Sequence, residues 1–224
     1  MGASFTLADS QTLEDLQVYL ARAARIEEGS VRLIAGSGVL AVYVAVLYPV
    51  GLLDESPTVL GLRTVALVPN ADGTPDTFDA VVPVRSLLGR IETAVAAKST
   101  TVSLPMEVNT ATWAAISPPR GGWVGSASST AHVLDAAARS GIDEVASAVP
   151  TGAGEQIVRR VRSEVWSRPI PQLEHVPAGA GFAALGLGFL GDDEVRVFES
   201  GPWTRLTTQR GHVLVKRKAW TLAR

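Results

Sequence analysis

The residue types best suited to chemistry lie in a glycine motif of the form V-P-x-G-A-G, whose first copy spans 149–154. Glycines at a helix N-terminus can aim free backbone N–H groups at an anion, and the helix dipole favours negative charge there. Gly152 and Gly154 are followed by Arg159 and Arg160, whose guanidinium groups suit bidentate contacts with phosphate or carboxylate. These four residues define a candidate site for an anionic small molecule. The alternative, which the pattern favours, is an ordinary helix start followed by a solvated face.

The irregular loop SPPRGGWVGS at 117–126 adds two candidate ligand-binding residues. Arg120 supplies a guanidinium group and Trp123 an aromatic plate, with a flexible Gly-Gly joint between them. Such a loop is typical of a lid over a ligand or of a contact with a partner. A plain linker with Trp123 packed into the core is the alternative, and the composition favours it. The same irregularity predicts a boundary between residues 1–117 and 118–224, although one continuous domain is also compatible with the sequence.

The second copy of the motif, at 176–181, also matches the dinucleotide fingerprint G-x-G-x-x-A through Gly179, Gly181 and Ala184. That fingerprint requires a buried strand directly before it and a complete βαβ arrangement around it. Pro177 stands where the strand should be, and the rest of the chain is too short for the full arrangement. The sequence therefore does not predict a dinucleotide, and it specifies no other cofactor.

Catalytic and metal-binding motifs are missing from the sequence. The chain has no cysteine, which excludes disulfides, a thiol nucleophile and a cysteine metal site. The G-x-S-x-G nucleophile elbow does not occur, and Ser128 or Ser129 is better explained as the cap of a following helix. His132, His175 and His212 form no H-x-x-H or H-E-x-x-H pair, so no metal site is predicted.

Bulk composition limits the expected partners and location. The formal net charge is −2, so we do not expect nucleic acid as a partner without a local basic patch. The basic run 216–218 near Trp220 is better explained as a charged edge that discourages aggregation. The N-terminus lacks the basic region and apolar run of a signal peptide, which predicts a cytoplasmic protein.

The longest uncharged stretch, Leu33 to Leu53, approaches the length of a membrane-spanning helix. Three glycines and a proline interrupt it, and its second half is rich in valine and tyrosine, which favour strands. We therefore predict a buried β-hairpin over residues 31–48, with a tight turn at Gly36-Ser37-Gly38. Apolar residues on both faces of the second strand predict a central strand, and no membrane association is expected.

The periodicity of the remaining chain predicts an α+β fold with a mixed or antiparallel sheet centred on this hairpin. Helices cover the sheet, a mostly helical second part follows, and the chain finishes with a β-meander. The predicted helices span 13–26, 84–95, 128–139, 143–148, 151–166 and 180–190, and the predicted strands outside the hairpin span 4–7, 59–68, 101–108, 195–199, 203–208 and 212–216.

The stretch SGPWTRLTTQRGHVLV at 200–215 resembles conserved actinobacterial proteins of unknown function. This resemblance implies no activity. The favoured functional interpretation is a non-catalytic binding or interaction protein, with self-association through its apolar sheet or its glycine-rich helix. The alternative is an enzyme or sensor for a phosphorylated or carboxylated small molecule, bound at Gly152, Gly154, Arg159 and Arg160.

Overall fold

A computed structural model describes most of the chain, namely residues 3–51, 54–70, 72–108, 111–150 and 152–217. The chain divides into two compact units, of which the first combines residues 1–45 with 62–115 and the second combines residues 46–61 with 116–224. None of the helices in the described ranges has the length and apolar character that crossing a membrane requires.

The first unit holds a sheet and two helices. Its elements are β1 (Ser4–Thr6), α1 (Ser10–Ile26), β2 (Ser30–Gly36), β3 (Val39–Leu47), β4 (Thr58–Ala66), β5 (Phe78–Pro83), α2 (Val84–Ala96), β6 (Thr101–Ser103) and a 3-10 turn at Thr112–Ala115. The strand order is β5-β2-β3-β4, and β1 pairs separately with β6. Both β3 and β4 also contribute residues to the second unit.

The predicted hairpin is confirmed as β2 and β3, which pair antiparallel from Val31 opposite Val44 to Gly36 opposite Val39. Ser37 and Gly38 both have positive φ, at 52° and 76°, as a two-residue turn with matching twist requires. β3 lies between two neighbouring strands, so the prediction of a central strand is also confirmed.

Helix α1 covers the sheet of the first unit, as its amphipathic pattern predicts. Asp9 caps it by accepting a hydrogen bond of 2.7 Å from the Thr12 backbone N–H. Its apolar side is completely buried, and the Tyr19 hydroxyl donates to the Val42 carbonyl oxygen at 3.3 Å. This polar contact helps to satisfy a buried phenol that packs against the central strand.

The second unit contains the remaining helices and the meander. Its elements are β7 (Val124–Thr130), α3 (Ala131–Ala148), α4 (Glu155–Ser167), β8 (Pro169–Ile170), β9 (Leu173–Pro177), α5 (Ala178–Gly186), β10 (Glu194–Ser200), β11 (Trp203–Thr208) and β12 (Gly211–Lys216). The strand order is β4-β12-β11-β10-β7, and β8 and β9 form a hairpin of their own. The predicted meander is confirmed as β10, β11 and β12, with antiparallel pairing throughout.

Several strands differ from the sequence-based expectation. β5 and β7 were not predicted, and Ser128 and Ser129 lie within β7 instead of capping a helix, since the cap of α3 is Thr130. β6 ends at Ser103 and does not reach 108, because Pro105 has no N–H to donate to a ladder. A strand, β9, also leads into the second glycine motif. It pairs with the two-residue strand β8 in a short antiparallel hairpin and is not part of a βαβ unit.

Two helix glycines allow close packing in the second unit. α3 runs through Gly141 without the break predicted between 139 and 143, and the Trp166 ring occupies the space that a Cβ would need there. At Gly181 of α5 an added Cβ would lie 2.6 Å from the Leu134 carbonyl oxygen. α4 begins at Glu155, and its predicted start at Thr151 lies outside the described residues.

Candidate functional site

The first glycine motif does lead into a helix, as predicted. Gly152 has φ +79°, and Gly154 is the N-cap of α4 and provides no side-chain cap. The first turn of α4 already carries an acidic residue, Glu155, whose carboxylate oxygen lies 2.5 Å from an Arg159 guanidinium nitrogen. A carboxylate at this position already interacts favourably with the positive end of the helix dipole.

The arginines of this motif point away from the core. Arg159 and Arg160 are exposed. The charge of Arg159 also contributes to lowering the pKa of Asp54. Burial opposes ionisation of Asp54, but hydrogen bonds from Ser56 and the Val50 backbone N–H, together with the charge of Arg159, hold its pKa below the ordinary value. Arg159 is therefore flanked by carboxylates, and the anion site proposed from the sequence stays a prediction.

The two loop candidates lie apart from this pair. Arg120 is exposed, and the described residues record no contact that joins it or Trp123 to the arginines of α4. Trp123 is half-buried, and its indole N–H donates to the Pro119 carbonyl oxygen at 3.1 Å. The guanidinium carbon of Arg205 lies 4.6 Å from the Trp123 ring centroid, a cation–π distance. This contact leads to a group of residues that the sequence did not indicate.

Five residues on and beside the meander form what we term the arginine–aromatic cluster: Trp123, Arg196, Phe198, Arg205 and His212. Phe198 lies opposite Arg205 in the β10–β11 ladder. Thr207 of β11 lies opposite Arg196 of β10 on one side and opposite His212 of β12 on the other. Residues directly opposite one another in a ladder lie on the same face of a sheet. The arginine guanidinium carbons lie 4.7 Å (Arg205) and 5.8 Å (Arg196) from the Phe198 ring centroid.

Strict alternation along β10 explains how the cluster forms. Val195 and Val197 are buried on the opposite face, at 0% and 4% exposure, so Arg196 and Phe198 must lie on the cluster side. β11 repeats this arrangement, with Arg205 between the buried residues Thr204 and Leu206. Burial of the valine face therefore brings together two arginines that are nine positions apart in the sequence.

The electrostatics of the cluster are unusual because its positive charges have no acidic partner. Within the described residues neither Arg196 nor Arg205 forms an ion pair, and the buried Nε of Arg205 has no hydrogen-bond partner. Burial, followed by the charge of Arg196, lowers the pKa of Arg205. Burial and both arginines lower the pKa of His212 to about 4, so His212 is neutral at neutral pH; its Nδ1 lies 3.0 Å from the Thr207 hydroxyl.

No group of three or more metal-ligating side chains occurs among the residues that the structure describes. The cluster instead offers guanidinium donors beside aromatic rings, which is a chemistry of binding anions and planar groups. The sequence signal that could have located it is a single arginine set between two inward-facing residues of a strand, as in V-R-V-F at 195–198 and T-R-L at 204–206. Such an arginine must lie on the face opposite the core.

Comparison with solved structures defines the class of fold. The DNA polymerase III subunit beta of Pseudomonas aeruginosa superimposes with a TM-score of 0.51 at 14% identity, over 99% of this chain and 66% of that chain. The corresponding subunit of Borrelia burgdorferi, solved in complex with a natural product, gives a TM-score of 0.52 at 6% identity, also over 99% of this chain and 66% of that one. The chain thus shares the fold of DNA polymerase sliding clamps while spanning about two thirds of their length.

Family models divide the chain into two matched regions. Residues 1–114 match the model described as domain of unknown function DUF8010, and residues 118–220 match domain of unknown function DUF8185. The chain belongs to the DUF8010 family, whose model covers half of its length. No curated protein matches the chain. The predicted division between 117 and 118 stays a prediction.

Proposed function

We propose that this chain is a non-catalytic binding protein that self-associates through the edge strand β7. The observation that carries the proposal is the state of that edge: all but one of its seven residues are exposed, and the remaining one is half-buried. The likeness of the whole chain to DNA polymerase sliding clamps supports a binding role over a catalytic one. At identities of 14% and 6% that likeness concerns the fold, so the partner has to be identified by experiment.

β7 has the features of a strand that accepts another strand. It ends the strand order of its unit and pairs on one side with β10, and the described residues record no backbone hydrogen bond to its other side. Its sequence, VGSASST, contains neither a charge nor a proline, the two devices that commonly protect an edge. Val124 exposes 69% of its surface, which is high for a large apolar residue. An unpaired ladder of this kind favours a second strand.

The partner that fits this edge best is β7 of a second copy. The other terminal strand, β5, already accepts a hydrogen bond of 2.8 Å at the Val81 carbonyl oxygen from the Val108 N–H, so its outer edge is partly covered. Two β7 strands related by a two-fold axis pair antiparallel, with Ala127 at the centre of the seven residues. This produces the isologous interface that is commonest among homodimers.

Sedimentation velocity of the full chain over a range of concentrations tests this proposal. The wild-type protein is expected to show a reversible monomer–dimer equilibrium. Ala127→Lys places two lysines opposite each other at the two-fold axis, where like charges destabilise the pairing. We expect this substitution to weaken dimerisation by at least roughly tenfold, equivalent to about 1.4 kcal/mol.

The matched control is Ala96→Lys, the same change at an exposed position at the end of α2. It adds the same charge away from β7 and is expected to leave the equilibrium unchanged. A wild-type protein that stays monomeric throughout, or equal dimerisation of both variants and the wild type, contradicts the role of β7.

The fold comparison also changes the expectation about nucleic acid. From the net charge we do not expect nucleic acid as a partner, but the proteins that share the fold are named as subunits and sliding clamps of DNA polymerase. The exclusion of nucleic acid is therefore not supported. The hypothesis of an enzyme or sensor at Gly152, Gly154, Arg159 and Arg160 stays a prediction, and the carboxylates beside Arg159 do not favour it.

A further inference from the structure

The arginine–aromatic cluster places two permanent positive charges around one aromatic ring without an acidic partner among the described residues. We propose that this cluster binds the phosphate groups of single-stranded nucleic acid. The site lies on the meander and not on the outer edge of β7, so this proposal goes beyond self-association and does not depend on it.

Phosphate fits the donors of the cluster. Arg196 is exposed, and Arg205 is half-buried with an Nε that has no hydrogen-bond partner in the described structure. The planar guanidinium fork matches two phosphate oxygens, and desolvation strengthens such contacts. His212 is uncharged at neutral pH, so it contributes hydrogen bonding without adding a third charge that would repel the arginines.

The shape of the site favours an extended strand over a small molecule. The cluster spreads across β10, β11 and β12, neighbouring strands that are roughly 4.8 Å apart, with Trp123 beside them. Small ligands usually bind in concave pockets that bury most of their surface. A chain of phosphates, by contrast, can follow charges that are distributed over a sheet.

The aromatic rings favour a single strand over a duplex or an acidic peptide. Both rings lie beside the Arg205 guanidinium group, with Trp123 at 4.6 Å and Phe198 at 4.7 Å, and Phe198 also lies 5.8 Å from that of Arg196. Surfaces that hold single strands combine a positive groove with aromatic side chains on which bases stack. The formal net charge of −2 means that no general attraction assists binding, so we expect modest affinity that falls steeply with salt.

Fluorescence anisotropy with a labelled oligothymidine of about 20 nucleotides, in about 50 mM salt, tests the proposal on the full chain. Arg196→Gln combined with Arg205→Gln is expected to weaken binding at least roughly tenfold. Loss of two phosphate contacts should also reduce the slope of log affinity against log salt by about 1.4, at about 0.7 per contact for single strands.

The matched control is Arg22→Gln combined with Arg25→Gln, which removes the same two charges from exposed positions on α1. It is expected to leave the affinity within about twofold and the salt slope unchanged. Equal losses in the two double variants would show a non-specific charge effect and overturn the site. Absence of saturable binding by the wild type would overturn it as well.

Competition distinguishes the possible sources of the anion. A duplex of the same length, ATP, inorganic phosphate and a glutamate peptide should each displace the oligothymidine less well than an unlabelled single strand does. Stronger displacement by any one of them overturns the single-strand assignment. If the cluster double variant does not fold, as judged by circular dichroism, Arg196→Gln alone decides the outcome, because its side chain is exposed. A slope reduced by about 0.7 supports the site and an unchanged slope overturns it.

Sedimentation of the same variants separates this proposal from the proposed function. We expect dimerisation of the Arg196→Gln/Arg205→Gln variant to equal that of the wild type. Loss of oligonucleotide binding with intact dimerisation supports the site, whereas intact binding in Ala127→Lys shows that the site works without the dimer.

Discussion

The two arginine pairs of the second unit differ in how sequence distance relates to spatial distance. Arg159 and Arg160 are adjacent in the chain, but successive residues of a helix point about 100° apart, so the two guanidinium groups diverge. Arg196 and Arg205 are nine residues apart, yet the β10–β11 ladder places both around the Phe198 ring. The strand register therefore brings together two guanidinium groups that are distant in sequence, which the helix does not do for two adjacent arginines.

The pairs also differ in their counter-charges. Arg159 lies beside Glu155 and influences Asp54, so its charge is already balanced on the surface. Arg205 is desolvated beside two aromatic rings, and the charge of another arginine, Arg196, lowers its pKa further. A ligand anion would be redundant at the first pair, whereas at the second it would supply the missing negative charge.

The largest expected effect is a loss of stability when the anchor of α4 is removed. This anchor fixes the orientation of the helix and so keeps its arginines on the surface. Trp166 is 3% exposed, stacks on Phe182 with 4.5 Å between ring centroids, and packs on Gly141 of α3. Trp166→Ala removes this anchor, so we expect the free energy of unfolding to fall by about 3–5 kcal/mol. Urea denaturation followed by far-ultraviolet circular dichroism measures the change.

Ile157→Ala is the matched control on the same helix. Ile157 is 51% exposed, so its truncation is expected to change the stability by no more than about 0.5 kcal/mol. A loss from Ile157→Ala comparable to that from Trp166→Ala would mean that the outer face of α4 is also buried, and the contrast between the two arginine pairs would not hold.

The next largest effect is a pH dependence that originates in the cluster. The folded pKa of His212 is lowered to about 4, so the unfolded chain binds more protons than the folded chain between that value and the ordinary value of about 6.5. The contribution of His212 is therefore complete above about pH 6.5 and is lost as the pH falls toward 4, a total of roughly 2–4 kcal/mol. Urea denaturation at a series of pH values measures this loss.

His212→Gln isolates this contribution, because glutamine can still hydrogen-bond Thr207 but does not titrate. Between about pH 4 and pH 6.5, the free energy of unfolding of the variant should change less with pH than that of the wild type. Asp9 and Asp54 also have lowered pKa values, but their stabilisation is lost below about pH 3.8, so they act in a different window. Parallel curves for the variant and the wild type would show that His212 is not desolvated.

Local patterns were sufficient to predict the hairpin, α1 and the meander. Each is encoded by neighbouring residues: the turn at Ser37 and Gly38, the Asp9 cap, and the alternation of 195–199. β7 was not predictable in this way, because VGSASST has few strand-forming residues and becomes a strand by pairing with β10, more than 60 positions later. The packing of the Trp166 ring against Gly141 is likewise a tertiary contact that the local sequence does not specify.

The candidate site shows the same limit. Trp123 was selected from the sequence as an aromatic plate, and it does contact a guanidinium group, but that of Arg205 instead of Arg120. The partner comes from β11, and nothing near Trp123 in the sequence specifies it. Motif searches find residues that lie close together in the chain, whereas this cluster requires the strand register as well.

The smallest expected effect compares one arginine from each pair through the same substitution to methionine, which retains most of the apolar stem. Arg159→Met breaks an exposed i,i+4 ion pair with Glu155, so we expect the free energy of unfolding to fall by about 0.3–0.5 kcal/mol, an effect that disappears at high salt.

Arg196→Met removes a positive charge that acts on Arg205 and His212. Among the described residues this charge has no carboxylate as an ion-pair partner. The stability should therefore stay level or rise by up to about 0.5 kcal/mol, as relief of repulsion offsets the loss of an exposed cation–π contact. High salt should reduce the Arg159→Met difference by weakening the wild-type ion pair, and it should reduce any gain in Arg196→Met by screening the wild-type repulsion. Urea denaturation in low and high salt measures both, and a loss of the same sign and salt dependence in the two variants would show that Arg196 has an acidic partner.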